Sequence, residues 1–390
     1  MALTPYDSSN NTAVQQELYA RKAYLWATKN SFFSQFVGKQ AAMVDSRTGK
    51  AINAIEKSKG AQSIVTLDDN LKKKRGETVN FHILAPLTGD GVVDDAELTN
   101  NEEAMTYYND EVTVHQRRNA VKVAGMAQQR TFVDCLSDAK ELLQLWMAEN
   151  VIDNDSILAL SGLANSAGTL AALAPSTNRH FVGGQTTAGV VTNNTLTLAS
   201  NDVTNELFGT NLISTIKRKA ATAGSGYPKL RPIRYKGKKY YVVLADKLQL
   251  KAIKAETAWI NANKDGWYRG EDNPIFSGAE GIWDGCLFHE CDSIETRLGD
   301  ATGATSTDPT TYFELGYGAA NGILNARALF LGCQALLHAS AKNISMVPEK
   351  KDYGNKMGIS IGMIWAAKKV QFNSEDYGVI AIDTAVVADS

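Results

Sequence analysis

The sequence predicts an α+β fold, and three observations carry that expectation. Apolar and polar residues alternate over 63–84 and again at Val112, Val114, Val121 and Val123. A further alternating run fills the end of the chain, where Met357, Ile359, Ile361, Met363 and Trp365 stand between Gly358, Ser360, Gly362 and Ile364. Period two marks half-buried strands. Between these runs Phe132, Leu136, Ala139, Leu142/Leu143 and Trp146/Met147 recur at three and four residues, the spacing of an amphipathic helix.

Taken in order, residues 1–60 are polar, yet Tyr19, Tyr24, Trp26, Phe32, Phe33 and Phe36 crowd one stretch of them. A terminal segment is ordered only when something ties it down, so this one either folds back on its own domain or lies across another subunit. Two strands are expected within 63–84, joined by a tight basic turn at Lys72-Lys73-Lys74-Arg75-Gly76. Residues 86–111 then hold eight acids and no base: Asp90, Asp94, Asp95, Glu97, Glu102, Glu103, Asp110 and Glu111. A connection of this length is uncommon unless it is functional or disordered. A solvated flap and an arm docked on a neighbour's basic surface both account for it.

The periodic helix is expected over 128–150, a span of ~33 Å at about 1.5 Å per residue. Residues 161–203 read as a loop-rich insertion with a short hairpin at 190–198. Helical spacing returns at 205–223 and 248–262, a strand is expected at 237–244, and 274–294 looks extended. At the end, Asn373-Ser374-Glu375-Asp376 forms a turn from which 377–387 runs back as an antiparallel hairpin.

The chain has 390 residues, 40 Lys and Arg against 42 Asp and Glu, and 44% apolar residues. That length normally means more than one domain. Its 14 Tyr, 12 Phe and six Trp exclude a disordered chain, and its near-neutral charge argues against a dedicated nucleic-acid binder. Four cysteines, Cys135, Cys286, Cys291 and Cys333, are too few for a disulfide framework and point to a reducing compartment. The first residues lack the basic and apolar regions of a secretory signal. The most apolar stretch, 318–340, is broken by Asn321, Asn325 and Arg327, short of the about 18 apolar residues of a membrane span. The chain is expected to be soluble, made in a cytoplasm and without membrane contact.

No motif survives as a reaction centre. Gly358-Ile-Ser360-Ile-Gly362 matches the elbow of serine hydrolases, but it sits inside an alternating strand, and all five histidines precede it. In Cys286-Leu-Phe-His289-Glu-Cys291 an extended chain points Cys286 away from His289 and Cys291, so a shared metal is not expected. Gly316-Tyr-Gly318-Ala-Ala-Asn-Gly322 lacks the strand and the acid of a dinucleotide site. The chain is therefore expected to be no enzyme and to need no cofactor. The strongest charge feature is 217–239, with nine bases and no acid, among them Lys217, Arg218, Lys219, Lys229, Arg231 and Arg234. It could be a solvated face or hold a phosphate backbone. It also complements the acid loop, which it would meet between copies and so set encounter rate and register.

Several co-linear runs then resemble one family, that of the major capsid proteins of tailed bacteriophages: Asn273-Pro-Ile-Phe-Ser-Gly-Ala-Glu-Gly-Ile-Trp-Asp-Gly285, Ala326-Arg-Ala-Leu-Phe-Leu-Gly332, Asp352-Tyr-Gly-Asn355, Met363-Ile-Trp365, and Phe372 through Thr384. The resemblance extends to residues 64–154. It implies a Hong Kong 97-type fold: an N-terminal arm at 1–60, a P-domain strand and extended loop at 61–125 (the loop about 84–114), a P-domain spine helix and insertion at 126–203, an axial A-domain at 204–345, and P-domain strands at 346–390. Phe132, Leu136, Leu143 and Trp146 would form the core face of the spine. The implied function is a structural shell built from copies of this chain around a double-stranded DNA genome, located in the virion and assembled in the host cytoplasm. The implied partners are the chain itself in pentamers and hexamers, a portal, scaffold or decoration proteins, and packaged DNA in nonspecific contact. A bacterial nanocompartment shell with the same fold, and a nucleic-acid-binding protein using 217–239, are the rival readings.

Overall fold

A computed structural model of the chain describes residues 31–39, 43–44, 51–52, 63–68, 76–84, 91–94, 97, 99, 102–103, 107–124, 130, 135–163, 165, 167–171, 173–183, 207–222, 229–235, 238–264, 279–291, 297–298 and 324–386. The basic turn at 72–75, the hairpin at 190–198 and the glycine run at 316–322 lie outside these residues. In chain order the strands are β1 (Val37–Lys39), β2 (Met43–Val44), β3 (Ala51–Ile52), β4 (Val65–Asp68), β5 (Thr78–Leu84), β6 (Tyr107–Thr113), β7 (His115–Ala124), β8 (His180–Val182), β9 (Ile233–Tyr235), β10 (Lys238–Ala245), β11 (Gly281–Trp283), β12 (Cys286–Glu290), β13 (Arg297–Leu298), β14 (Leu324–Leu331), β15 (Leu336–Lys351), β16 (Lys356–Lys369), β17 (Gln371–Phe372), β18 (Glu375–Asp376) and β19 (Val379–Ala385). The helices are α1 (Cys135–Trp146), α2 (Asn154–Ser161), α3 (Thr210–Ala220), α4 (Lys247–Lys254) and α5 (Thr257–Lys264).

Two sheets organise these elements. The first runs β1-β4-β15-β16-β7; the second runs β11-β12-β10-β14-β19-β8, with β13 on β14 and β9 on β10. On β16 the expected alternation is realised, with Ile359, Ile361, Met363 and Trp365 buried and the residues between them half-exposed. That buried row shares a core with Leu143, Met147, Val151 and Leu160 of the long helix. The second sheet is apolar on both faces. Val242, Leu244 and Leu329 join the first core, while Tyr241, Val243 and Phe330 join a second one with Leu212, Ile216, Leu250 and Trp259 of the helices. Strands covered on both sides read as unbroken apolar runs, which is why 240–245 and 328–331 show no alternation.

The helix runs further than its apolar spacing suggests. α1 passes through a π-type turn (Met147–Asp153) into α2 and ends at Ser161 rather than at residue 150. Asp153 and Asp155, beyond the expected end of the helix, both have buried partners. Asp153 accepts Ser31 Oγ–H at 2.6 Å and the N–H groups of Phe32 and Phe33 at 2.9 and 3.2 Å. Asp155 pairs with Arg117 at 3.3 Å and accepts from Asn165 at 2.9 Å. Gly162, at φ +80°, ends the helix, and Leu163 N–H returns to Leu158 O at 2.8 Å.

The Asp153 contact ties down the early aromatics. Phe33 and Phe36 are buried in the first core, and β1 lies parallel to β4. Residues 31–39 thus fold back on their own chain.

Two expectations are corrected. β4 and β5 do not pair with each other: β4 lies between β1 and β15, whereas β5 joins β6 in a separate ribbon from Thr78↔Thr113 to Leu84↔Tyr107. Alternation marks both as strands without naming a partner. The turn at Asn373 and Ser374, with φ of 52° and 62°, closes only the short pair of β17 and β18. β19 then leaves for the second sheet, between β14 and β8, because Val379–Ala385 is buried throughout and needs cover on both faces. β15 belongs to the first sheet from Leu336, so the chain passes between the sheets at 332–335. The helical spacing at 248–262 resolves into α4 and α5, between which Glu256 caps α3 by accepting Thr210 N–H at 3.1 Å and Thr210 Oγ–H at 2.6 Å.

The two crossings between sheets touch at Gly378. A Cβ there would stand 2.5 Å from Ala335 Cα and 2.9 Å from Cys333 O, all backbone. Gly378→Ala is expected to cost the unassembled chain about 3 kcal/mol. Gly358→Ala, whose Cβ meets nothing nearer than 3.7 Å, should stay within about 1 kcal/mol. Urea denaturation of both variants checks the contrast.

Candidate functional site

The candidate residues fall on three surfaces. The β5–β6 ribbon carries the acid loop. Its root is fixed where Lys368 Nζ meets Asp110 Oδ1 at 2.6 Å and Glu111 O at 2.8 Å, and where Val79, Phe81 and Val112 pack on Phe372 and Tyr377. Beyond the ribbon Asp94 is exposed at φ +56°, and Glu97, Glu102 and Glu103 are exposed. Asp90 and Asp95 lie outside the described residues.

The basic segment spreads over α3, β9 and β10 and is partly engaged within the chain. Lys217 pairs with Asp284 at 2.7 Å and also donates to the Asp284 carbonyl. Lys219 Nζ stands 5.2 Å above the Phe181 ring, a cation–π distance. Arg218 donates to Thr215 Oγ1 at 2.9 Å, and Arg231 reaches Gln334 Oε1 at 3.4 Å. Arg218, Lys229, Arg231 and Arg234 are exposed.

On the long helix Leu143 is buried and Trp146 packs half-buried against the first core. Phe132 and the Leu136 side chain lie outside the described residues. Leu142 and Leu145 face outward, Leu142 being 62% exposed.

The rejected motifs are structural. Ser360 lies mid-strand in β16 and donates to Val347 O at 3.1 Å. Cys286 and Phe288 point into the second core and Leu287 and Cys291 into the first, while His289 sits edge-on to Phe36 at 5.4 Å. Burial pushes the Cys286 thiol up to about 12 and the Cys333 thiol to about 11, so both stay protonated. Among the described residues no group of three His, Cys, Asp or Glu could hold a metal, and no helix is long and apolar enough to cross a membrane.

Sequence reasoning missed the buried charges at the seam of the two sheets. Arg327 forks onto Asp383 with two bonds of 2.7 Å and gives a third, also 2.7 Å, to Ser161 O at the end of α2. His180 Nε2 donates to Asp383 Oδ2 at 2.6 Å. Burial alone would raise the Asp383 carboxyl, but Arg327 and His180 bring it below the usual carboxylate range. Lys369 bonds Asp376 at 3.0 Å and Ala174 O at 3.0 Å, with neither charged side chain exposed. The available signal was a lone Arg327 inside the apolar run Leu324–Leu331 and a lone Asp383 inside Val379–Ala385.

The comparisons with known proteins agree with this architecture. Residues 13–388 match the family described as phage capsid protein. The chain is 28% identical to the "Major capsid protein" of Pseudomonas phage KPP25 over 96% of each chain. In structure it resembles the capsid of Ralstonia phage GP4 (TM-score 0.72, 22% identity, 93% of each chain) and that of cyanophage Pam1 (TM-score 0.66, 21% identity, 93% of this chain and 94% of the other). The fold is thus that of phage capsid subunits, the Hong Kong 97-type expected from the sequence.

Two outcomes are expected from the seam. Asp383→Asn leaves Arg327 buried without its counter-charge and should cost about 3–5 kcal/mol in urea denaturation. His338 is the acid-sensitive group: its Nε2 faces Ser156 Oγ at 2.8 Å, and complete burial lowers its pKa to about 3. Unfolded chains bind that proton below about 6.5 and the folded chain does not. Stability must therefore fall on acidification between about 6.5 and 3, by at most about 1.4 kcal/mol per pH unit from this group. Denaturation at pH 7 and pH 5 should show a flatter dependence in His338→Gln than in the parent chain.

Proposed function

This chain belongs to the phage capsid protein family, and on that premise we propose how one subunit of a major capsid protein does its work in the shell. The observation that carries the proposal is the β5–β6 ribbon, between whose strands the described acids Asp94, Glu97, Glu102 and Glu103 are exposed. The first sheet with its long helix serves as the peripheral domain, with Leu143 and Trp146 among its core residues. The second sheet with α3, α4 and α5 serves as the axial domain. The segment that begins the chain acts as an arm from residue 30 backwards, and 85–106 as the reach of the extended loop.

Rings of five and six copies repeat every contact, so each can be weak while the assembly holds. Exposed ion pairs contribute about 0–1 kcal/mol each, which suits contacts that form, test register and re-form. The acid loop supplies such contacts to a neighbouring copy. Exposed bases of 217–239, among them Arg218, Lys229, Arg231 and Arg234, offer a neighbour or packaged DNA a nonspecific positive face. A portal and scaffold or decoration proteins complete the particle in the host cytoplasm.

Electron microscopy of the purified chain should show closed shells, and particles from infected cells should contain double-stranded DNA; a protein cargo in its place would favour the nanocompartment reading. Deleting residues 88–108 is expected to leave a folded, soluble subunit by circular dichroism and to abolish shells by electron microscopy. Normal particles from that deletion would remove the loop from assembly.

A further inference from the structure

The long helix has a side that the cores do not use. Asp138, Glu141, Leu142, Leu145 and Glu149 succeed one another at three and four residues, so they form one stripe along α1 and into the π-type turn. All five are exposed, Leu142 by 62% and Leu145 by 37%. A single leucine in water needs no account. Here two stand one turn apart with three acids around them, and none of those acids has an ion-pair partner among the described residues.

The chain brings its own occupant to the end of this stripe. Ser31, Phe32 and Phe33 are fastened to Asp153 by bonds of 2.6, 2.9 and 3.2 Å, one turn beyond Glu149. Whatever precedes residue 31 therefore sets out from beside the stripe, which is roughly 20 Å long from Asp138 to Asp153 at about 1.5 Å per residue. Residues 14–29 come next along the sequence, and in helical form they would span about 24 Å. They carry Arg21, Lys22 and Lys29 against one acid, Glu17. Tyr19, Lys22, Ala23, Trp26 and Lys29 recur at three and four residues, the spacing of the stripe itself. Length, charge and apolar content all match.

We propose that residues 14–29 seat as an amphipathic helix on the outer stripe of their own long helix. Trp26 covers Leu142 and Leu145, and Arg21, Lys22 and Lys29 face Asp138, Glu141 and Glu149. The tether decides for the same copy, because a segment held beside its seat meets it at a high effective concentration. The seat belongs to the single chain and does not rest on the shell reading. In a shell it leaves residues 1–13 as the part of the arm that reaches outward.

Chymotrypsin cleavage of the full, unassembled chain at Tyr19, Tyr24 and Trp26 reads the seat, since a protease cuts in proportion to the released fraction. Leu142→Ser/Leu145→Ser is expected to raise cleavage at these positions roughly tenfold, and Glu141→Lys/Glu149→Lys by a similar factor. Adding Lys22→Glu/Lys29→Glu to the second variant should restore the parental rate, which a general loss of folding would not allow. All variants should keep a cooperative urea transition, because the exchanged side chains on α1 and the turn are exposed. Carbodiimide treatment of the dilute chain, mixed from two isotope labels, should join Lys22 or Lys29 to Asp138, Glu141 or Glu149 of the same copy by mass spectrometry. Equal cleavage in the parent and both variants would overturn the seat. Cross-links only between different labels would give the stripe to a second copy and overturn seating within the chain. Protection that appears only when other phage proteins are added would give it to one of them and overturn the proposal equally. None of these results bears on shell formation, which electron microscopy scores separately.

Discussion

The bond between Arg327 and Asp383 is the constraint on which the rest of the subunit depends. An ion taken from water into a protein core is costly unless a partner of opposite charge and further hydrogen bonds receive it. Here β14 and β19 supply the two charges, β8 supplies His180, and α2 supplies Ser161 O. One guanidinium thus fixes the end of the long helix to the middle of the second sheet. Its position near the helix C-terminus also meets the negative end of the helix dipole and a carbonyl without an intrahelical partner. Lys369 and Asp376 repeat the arrangement where the chain leaves the first sheet. Losing one partner of either pair would leave the other charge buried and uncompensated.

The elements were legible in the sequence to the degree that one face of each meets water. β7 and β16 alternate because each has a buried and an exposed face, and the helix shows three-and-four spacing for the same reason. The exchange of strands between sheets was not legible. β14 and β15 are neighbours in sequence yet enter different sheets, and β19 finds β14 across a long stretch of chain. Periodicity records the environment of a residue, not the identity of its partner. The helix end was misplaced because the three-and-four spacing was followed only as far as Met147, while the partners of Asp153 and Asp155, Ser31 and Arg117, come from distant parts of the chain.

The surfaces were legible as charge blocks and no further. Eight acids without a base, and nine bases without an acid, identify segments that cannot be neutral in isolation. Which bases are engaged is a question of geometry: Lys217 and Lys219 have Asp284 and Phe181 within reach.

The burial of the thiols bears on how long a finished particle lasts. Cys286, Cys291 and Cys333 are all buried, and Cys286 and Cys333 hold their protons far above neutral pH. Disulfide exchange and oxidation begin from an accessible thiolate. A virion released into air-saturated water therefore carries these sulfurs in chemically silent form. It can wait between hosts without ageing at those positions.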